Sequence, residues 1–139
     1  MHYTHWDVML ASPTDPIPLA KREHQIRLMK EALENFEQAP HPTHEDWSAL
    51  ATAVDLMETL RDSGHIEDHD GALDDAVAAL GKSGMRSING KNLRLDGPAI
   101  GLLRGIIEDY EMVCEALPAR IMIAAHRATE KRITKKVSG

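Results

Sequence analysis

Cysteine occurs once in these 139 residues, as Cys114. A lone thiol cannot close an intramolecular disulfide, so nothing in the chain calls for an oxidising compartment. Aromatic residues are nearly as scarce, with two Trp, two Tyr and one Phe. Trp6, in an N-terminal stretch with Tyr3, Met9 and Leu10, is therefore expected to dock against something apolar. No apolar run approaches the ~18–20 residues that cross a bilayer. The opening MHYTHWDVMLAS lacks a basic n-region and holds only Val8–Ala11 as an apolar run, unlike a secretory signal. A cytoplasmic protein is expected. Motifs of chemistry are missing as well. There is no G-x-S-x-G elbow, and GKSGMRSINGK matches neither phosphate-loop spacing. No Glu-x-x-His pair exists, which removes the di-iron helical enzymes. Cys114 has Glu111 and Glu115 nearby in sequence, the wrong sign for activating a thiol. The expectation is a protein without enzymatic activity or cofactor.

What is present suits one folded domain spanning residues 1–139. Apolar residues make up 42% and the formal net charge is −6, which argues against wholesale disorder. The charge is unevenly placed. Residues 40–80 hold ten acids (Glu45, Asp46, Asp55, Glu58, Asp62, Glu67, Asp68, Asp70, Asp74 and Asp75) and one base, Arg61. Residues 119–139 hold six bases (Arg120, Arg127, Lys131, Arg132, Lys135 and Lys136) and one acid, Glu130. The chain thus has an acidic middle and a basic end.

Periodicity predicts an all-α fold, a four- to five-helix bundle with a long central amphipathic helix and an irregular N-terminal arm. In the stretch Asp96–Leu117, residues Ile100, Leu103, Ile107, Tyr110, Cys114 and Leu117 recur at steps of three and four, marking one buried face. Asp96 is placed to cap this helix and Pro98 suits its first turn. A first helix is expected over 18–38, with Ile26, Met29, Leu33 and Phe36 inward, and prolines exclude a continuous helix over 1–17. A second is expected over 43–64, entered by Thr43 and Asp46 as a capping box and closed by Gly64. Asp70 is a candidate cap for a third, marked by Leu73, Ala76, Val77 and Leu80. Beyond Leu80 the pattern allows a helix with a close-packed glycine face ending near Asn89, or a hairpin turning at Asn89-Gly90. A fifth helix is expected from Pro118 to about Lys135, with Met122, Ala125, Thr129 and Ile133 inward, and 136–139 fraying.

Three groups of residues are candidates for function. The acids Asp55, Glu58, Asp62, Glu67 and Asp68 form a face that opposite charge would steer onto a basic protein surface; the plainer reading is a solvated face that keeps the chain soluble. Arg127, Lys131, Arg132 and Lys135 could contact phosphates and release counterions, yet the same cations also complement the negative end of their own helix dipole. His65 and His69, four apart within HIEDHD, could supply two metal ligands. They lie in a connector and lack the HExxH order, so a solvated loop capping the third helix is the plainer reading.

The run Asn92 to Arg132, NLRLDGPAIGLLRGIIEDYEMVCEALPARIMIAAHRATEKR, resembles a loose group of short helical proteins encoded by proteobacterial phages, plasmids and integrated elements. The shared features are an LDG entry to a helix, a tyrosine-bearing seam and an Arg/Ala-rich segment closing in TEKR. A DW entry to an earlier helix, here Asp46-Trp47, goes with them. The resemblance implies a mobile-element accessory protein, a context that includes small acidic proteins blocking host defence complexes. That group carries no catalytic motif, so it implies no site residue. The expected partner is a protein, with a homodimer through the Asp96–Leu117 seam as a further possibility, aided by Trp6.

Overall fold

A computed structural model describes the backbone of residues 19–68 and 70–138, and the side chains of residues 22–68 and 70–131. The N-terminal arm with Trp6, His69, Gly139 and the side chains of Arg132, Ile133 and Lys135 lie outside the described residues. Five helices and no strand are found among the described residues: α1 Leu19–Gln38, α2 His44–Asp62, α3 Ala72–Ile88, α4 Gly97–Ala116 and α5 Ala119–Ser138. The fold is all-α. None of these helices is long and apolar enough to cross a membrane.

Local chemistry sets the helix ends. At the start of α2 the Asp46 N–H donates to Thr43 Oγ1 (3.1 Å) and the Thr43 N–H donates back to Asp46 Oδ2 (3.0 Å). That reciprocal pair is a capping box. Asp46 Oδ1 also accepts from Asn35 Nδ2 on α1 (3.0 Å), so the cap fastens one helix to the next. At the far end Gly64 takes φ +80°. Its N–H reaches Arg61 O, while the His65 N–H reaches Leu60 O. This is the Schellman pattern, and glycine is the residue that adopts it without a Cβ clash.

The same device resolves the ambiguity after Leu80. Gly90 has φ +78°, its N–H reaches Ser87 O, and the Lys91 N–H reaches Arg86 O. Asn89-Gly90 is therefore the stop signal of α3, and there is no hairpin. The expected close-packed glycine face is only half realised. A Cβ on Gly84 would meet the Trp47 indole at 3.5 Å, whereas one on Gly81 would meet nothing within 4 Å. Trp47 crosses onto α3 here, with Nε1 donating to Leu80 O at 3.0 Å. Gly81 therefore weakens the α3 interior by about 1 kcal/mol relative to alanine, with no contact in the protomer that requires it.

Asp96 caps α4 as expected, accepting from the Ala99 N–H at 2.8 Å. One expectation needs correction. Asp70 does not cap α3: Gly71 occupies that position at φ +69° with no side-chain bond. Helix α5 spans Ala119–Ser138, and its backbone ladder starts from the Pro118 carbonyl.

The core is contributed by every helix, but unequally. α2 packs extensively against all four others, while α4 does so against α1, α2 and α3. α2 buries Leu50, Ala53, Val54, Leu56, Met57, Thr59 and Leu60, more than one stripe of its surface. From α4 come Ile100, Leu103, Ile106, Ile107, Tyr110 and Cys114, so the seam read from the sequence is consumed inside the protomer. Surface pairs Lys30–Glu111 (2.9 Å) and Arg104–Glu37 (2.7 Å) flank the α1–α4 contact. Exposed pairs of this kind each add roughly 0–1 kcal/mol. Val77, expected to face inward, is 43% exposed. Leu73, Ala76, Leu80 and Ser83 supply the inner face of α3 instead.

Candidate functional site

The acidic middle of the sequence becomes a corner where α2 ends, the connector turns and α3 begins. Arg61 stands at its centre. Its guanidinium lies 3.5 Å from Glu58 Oε2, 3.4 Å from Asp62 Oδ1, 3.4 Å from Asp68 Oδ2 and 3.3 Å from Asp74 Oδ1. Glu58 and Asp62 arrive from its own helix at neighbouring positions, Asp68 from the connector and Asp74 from the first turn of α3. One cation shared among four carboxylates leaves the corner strongly negative, and a basic surface approaching it meets a complementary potential.

The five expected acids divide by role. Asp68 is largely covered, with its side chain 10% exposed. Its Oδ1 accepts from the Ala72 N–H (3.0 Å) and its Oδ2 from the Leu73 N–H (3.2 Å), satisfying two of the donors that open α3. Glu58 is similarly enclosed, at 14%, and Asp55 is half-buried on α2. Glu58 and Asp68 frame the corner from inside. Asp62 and Glu67 are exposed, and so are three acids not singled out as candidates, Asp70, Asp74 and Asp75. The solvent-facing acids accordingly lie mostly along the connector and the start of α3. Replacing Asp68 with alanine removes the cap of α3 and one partner of Arg61 together. The expected cost is about 1–2 kcal/mol, readable as a lower urea midpoint with unchanged slope.

The basic candidates lie on α5. Arg127 and Lys131 are exposed there, and positions 127, 131 and 135 repeat every four residues along an unbroken helix. His65 is exposed in the connector. Among the described residues no group of three or more His, Cys, Asp or Glu side chains is arranged to hold a metal ion, and the His65–His69 pairing falls outside them.

A polar cluster in the core went unread in the sequence. The Tyr110 hydroxyl donates to Gln25 Oε1 at 2.6 Å and lies 3.5 Å from His126 Nε2. With the tyrosine proton directed at Gln25, the histidine Nε2–H must be the donor in the second contact. Gln25, Tyr110 and His126 are 4%, 1% and 3% exposed, and Gln25 Nε2 has no partner. Burial holds the His126 imidazole down at about 4, and it pushes the neighbouring Cys114 thiol up to about 11. Nearby, Thr59 Oγ1 and Thr129 Oγ1 approach to 2.7 Å while each also contacts a carbonyl one turn earlier. Two hydroxyl protons thus serve three contacts. A signal for His126 existed in the sequence, since it falls four residues after Met122 on the inward stripe of α5.

No family model, curated protein or solved structure matches this chain.

Proposed function

We propose that this chain is a five-helix bundle acting as a non-enzymatic accessory protein of a mobile element, and that it binds a basic protein surface through the acidic corner around Arg61. The observation that carries the reading is that corner. Four carboxylates converge on one guanidinium, and Asp62, Glu67, Asp70, Asp74 and Asp75 face solvent around it. The buried Cys114 thiol, held protonated at neutral pH, is a poor nucleophile. The resemblance of the Asn92 to Arg132 run supplies the mobile-element context, and an inhibitor of a host defence complex fits that context.

Asn35, Thr43 and Asp46 lie well away in sequence from the corner, so its exposed acids can be changed without touching the helix fastenings. The variant Asp62→Lys, Glu67→Lys, Asp70→Lys leaves Glu58 and Asp68 in place and is expected to fold. Tagged wild-type and variant protein are used to capture partners from host lysate, with and without nuclease. Under the proposal a stoichiometric protein survives nuclease and its capture by the variant falls at least tenfold. Equal capture by both would remove the acidic corner from the account.

The second reading is association with nucleic acid through Arg127, Lys131, Arg132 and Lys135, favoured by the continuous α5 helix that keeps these residues in one register. It is separated in the same capture. Material that disappears with nuclease, and with added salt, belongs to α5 rather than to the corner.

A further inference from the structure

A groove of about 630 Å³ is bounded by α3 and by the segment that enters α4, and three cations line it: Lys82 and Arg86 from α3, and Arg94 from the connector. Lys82 and Arg86 stand one helical turn apart, and Asp75 lies on the same side of α3 two turns before Lys82. In a chain of formal net charge −6, Lys30, Arg61 and Arg104 all have carboxylate partners. Lys82, Arg86 and Arg94 form no ion pair among the described residues. Arg86 directs its Nε to Asn92 O at 3.2 Å, which fastens the connector to α3. Cations gathered in a concave site focus their field and draw anions.

Ser83 supplies a second, independent signal. It lines the same groove, is 1% exposed, and its Oγ has no hydrogen-bond partner. Thr52, Thr59 and Thr129 each turn their hydroxyl to the carbonyl one turn earlier, the ordinary partner of a helical hydroxyl. Ser83 does not. A buried hydroxyl of this kind calls for an explanation, and a bound acceptor is one.

We propose that this groove binds a small phosphate ester, with the phosphate held by Lys82, Arg86 and Arg94 and the organic body directed towards Asp75. The lining selects among anions. Arginine forks match the paired oxygens of a phosphate. A phosphate monoester also carries close to two negative charges at neutral pH, so it balances these cations better than a carboxylate does. The groove falls in the range of roughly 300–1,000 Å³ common for small-molecule sites. Phosphate alone leaves most of it empty, and Ala78, Ala79 and Leu95 give the remainder an apolar wall. Asp75, roughly 10 Å along α3 from Lys82, repels a second phosphate and can accept from a hydroxyl. Asp96 lines the groove as well, but its Oδ1 is taken by the Ala99 N–H. These two acids interrupt the positive surface, so it suits a single phosphate better than the continuous track of a nucleic-acid backbone. The site does not rest on the acidic-corner reading, since Asp62, Glu67 and Asp70 do not line it.

Isothermal titration calorimetry of the full chain at low ionic strength tests the site with AMP, glucose 6-phosphate and their phosphate-free counterparts, adenosine and glucose. At least one ester should bind at one per chain, at least tenfold more tightly than its counterpart, and more weakly as salt is added. Preference for AMP assigns a nucleotide, and preference for glucose 6-phosphate a sugar phosphate. The variant Lys82→Gln, Arg94→Gln changes two exposed side chains, so its Tm should match wild type while ester affinity falls at least tenfold. Ser83→Ala removes an unpartnered hydroxyl, so the Tm of the free protein should equal or exceed wild type while ester affinity falls severalfold. A Ser83 that serves only the fold would lower Tm and leave affinity alone. Absence of ester binding at millimolar concentration overturns the proposal, as does an affinity unchanged in both variants. Binding of duplex DNA without either ester overturns it too. The acidic-corner variant should bind the ester like wild type, which keeps the two readings separate.

Discussion

Acidification from pH 7 to pH 4 is expected to remove about 3 kcal/mol of stability through His126 alone. The sign follows from burial. In the unfolded chain this imidazole takes up its proton near the ordinary value of 6.5, but in the folded protein burial delays protonation to about 4. Between those values the unfolded state binds more protons, so its population grows as pH falls. The contribution is fully present above pH 6.5 and is lost as pH drops through 4. Protonation adds its hydrogen at Nδ1 and leaves the Nε2–H donor to Tyr110 in place at 3.5 Å, so the cost is that of the charge itself in a site 3% exposed. Urea unfolding at steps between pH 7 and pH 4, on wild type and His126→Gln, isolates this residue from the general titration of surface carboxylates. Glutamine keeps a donor for Tyr110 and does not titrate. The variant's stability should decline less by about 3 kcal/mol across the window; parallel declines would contradict the assignment.

Leu60→Ala is expected to be the most damaging conservative truncation on α2. Leu60 is fully buried, and α2 packs extensively against all four other helices. Surrounding elements held from several sides cannot collapse into the space, so both the transfer and the cavity contributions apply, about 2–5 kcal/mol in all. For a domain whose total stability is about 5–15 kcal/mol, that approaches marginal folding. The corresponding loss in Tm is roughly 10 °C. Met112→Ala is the control. Met112 is 62% exposed on α4, and its truncation should stay within about 0.5 kcal/mol. Similar losses at both positions would mean that the packing around α2 is wrongly described.

Much of the fold was legible because its signals are short-range. Thr43 with Asp46, and Asp96 with the Ala99 N–H, act across three residues. The Gly64 and Gly90 terminators act across five. Such groups meet whatever the rest of the chain does, and their residue types have few other uses at those spacings. The acidic bias was also legible, because charge composition survives folding. The division of labour within it was not. Whether Asp68 or Asp70 serves α3 depends on the turn that the connector takes, and Gly71 at positive φ lets Asp68 reach forward to Ala72 and Leu73.

Periodicity identifies an apolar stripe but not its neighbour. It marked the seam of α4 correctly, yet it assigned Val77 to the core and passed over Gln25 and His126. A valine at an in-phase position is buried only if another helix arrives to cover it, and for Val77 none does. A glutamine and a histidine enter a core where a hydrogen-bond partner stands ready, and here Tyr110 supplies it from 85 positions away from Gln25. Helix boundaries, caps and the charge map were thus set by contacts between near neighbours in the chain, where the geometry is fixed by the backbone. The packing role of α2, the outer face of α3 and the polar cluster in the core were decided by contacts across dozens of residues, where the free energy depends on which surfaces meet.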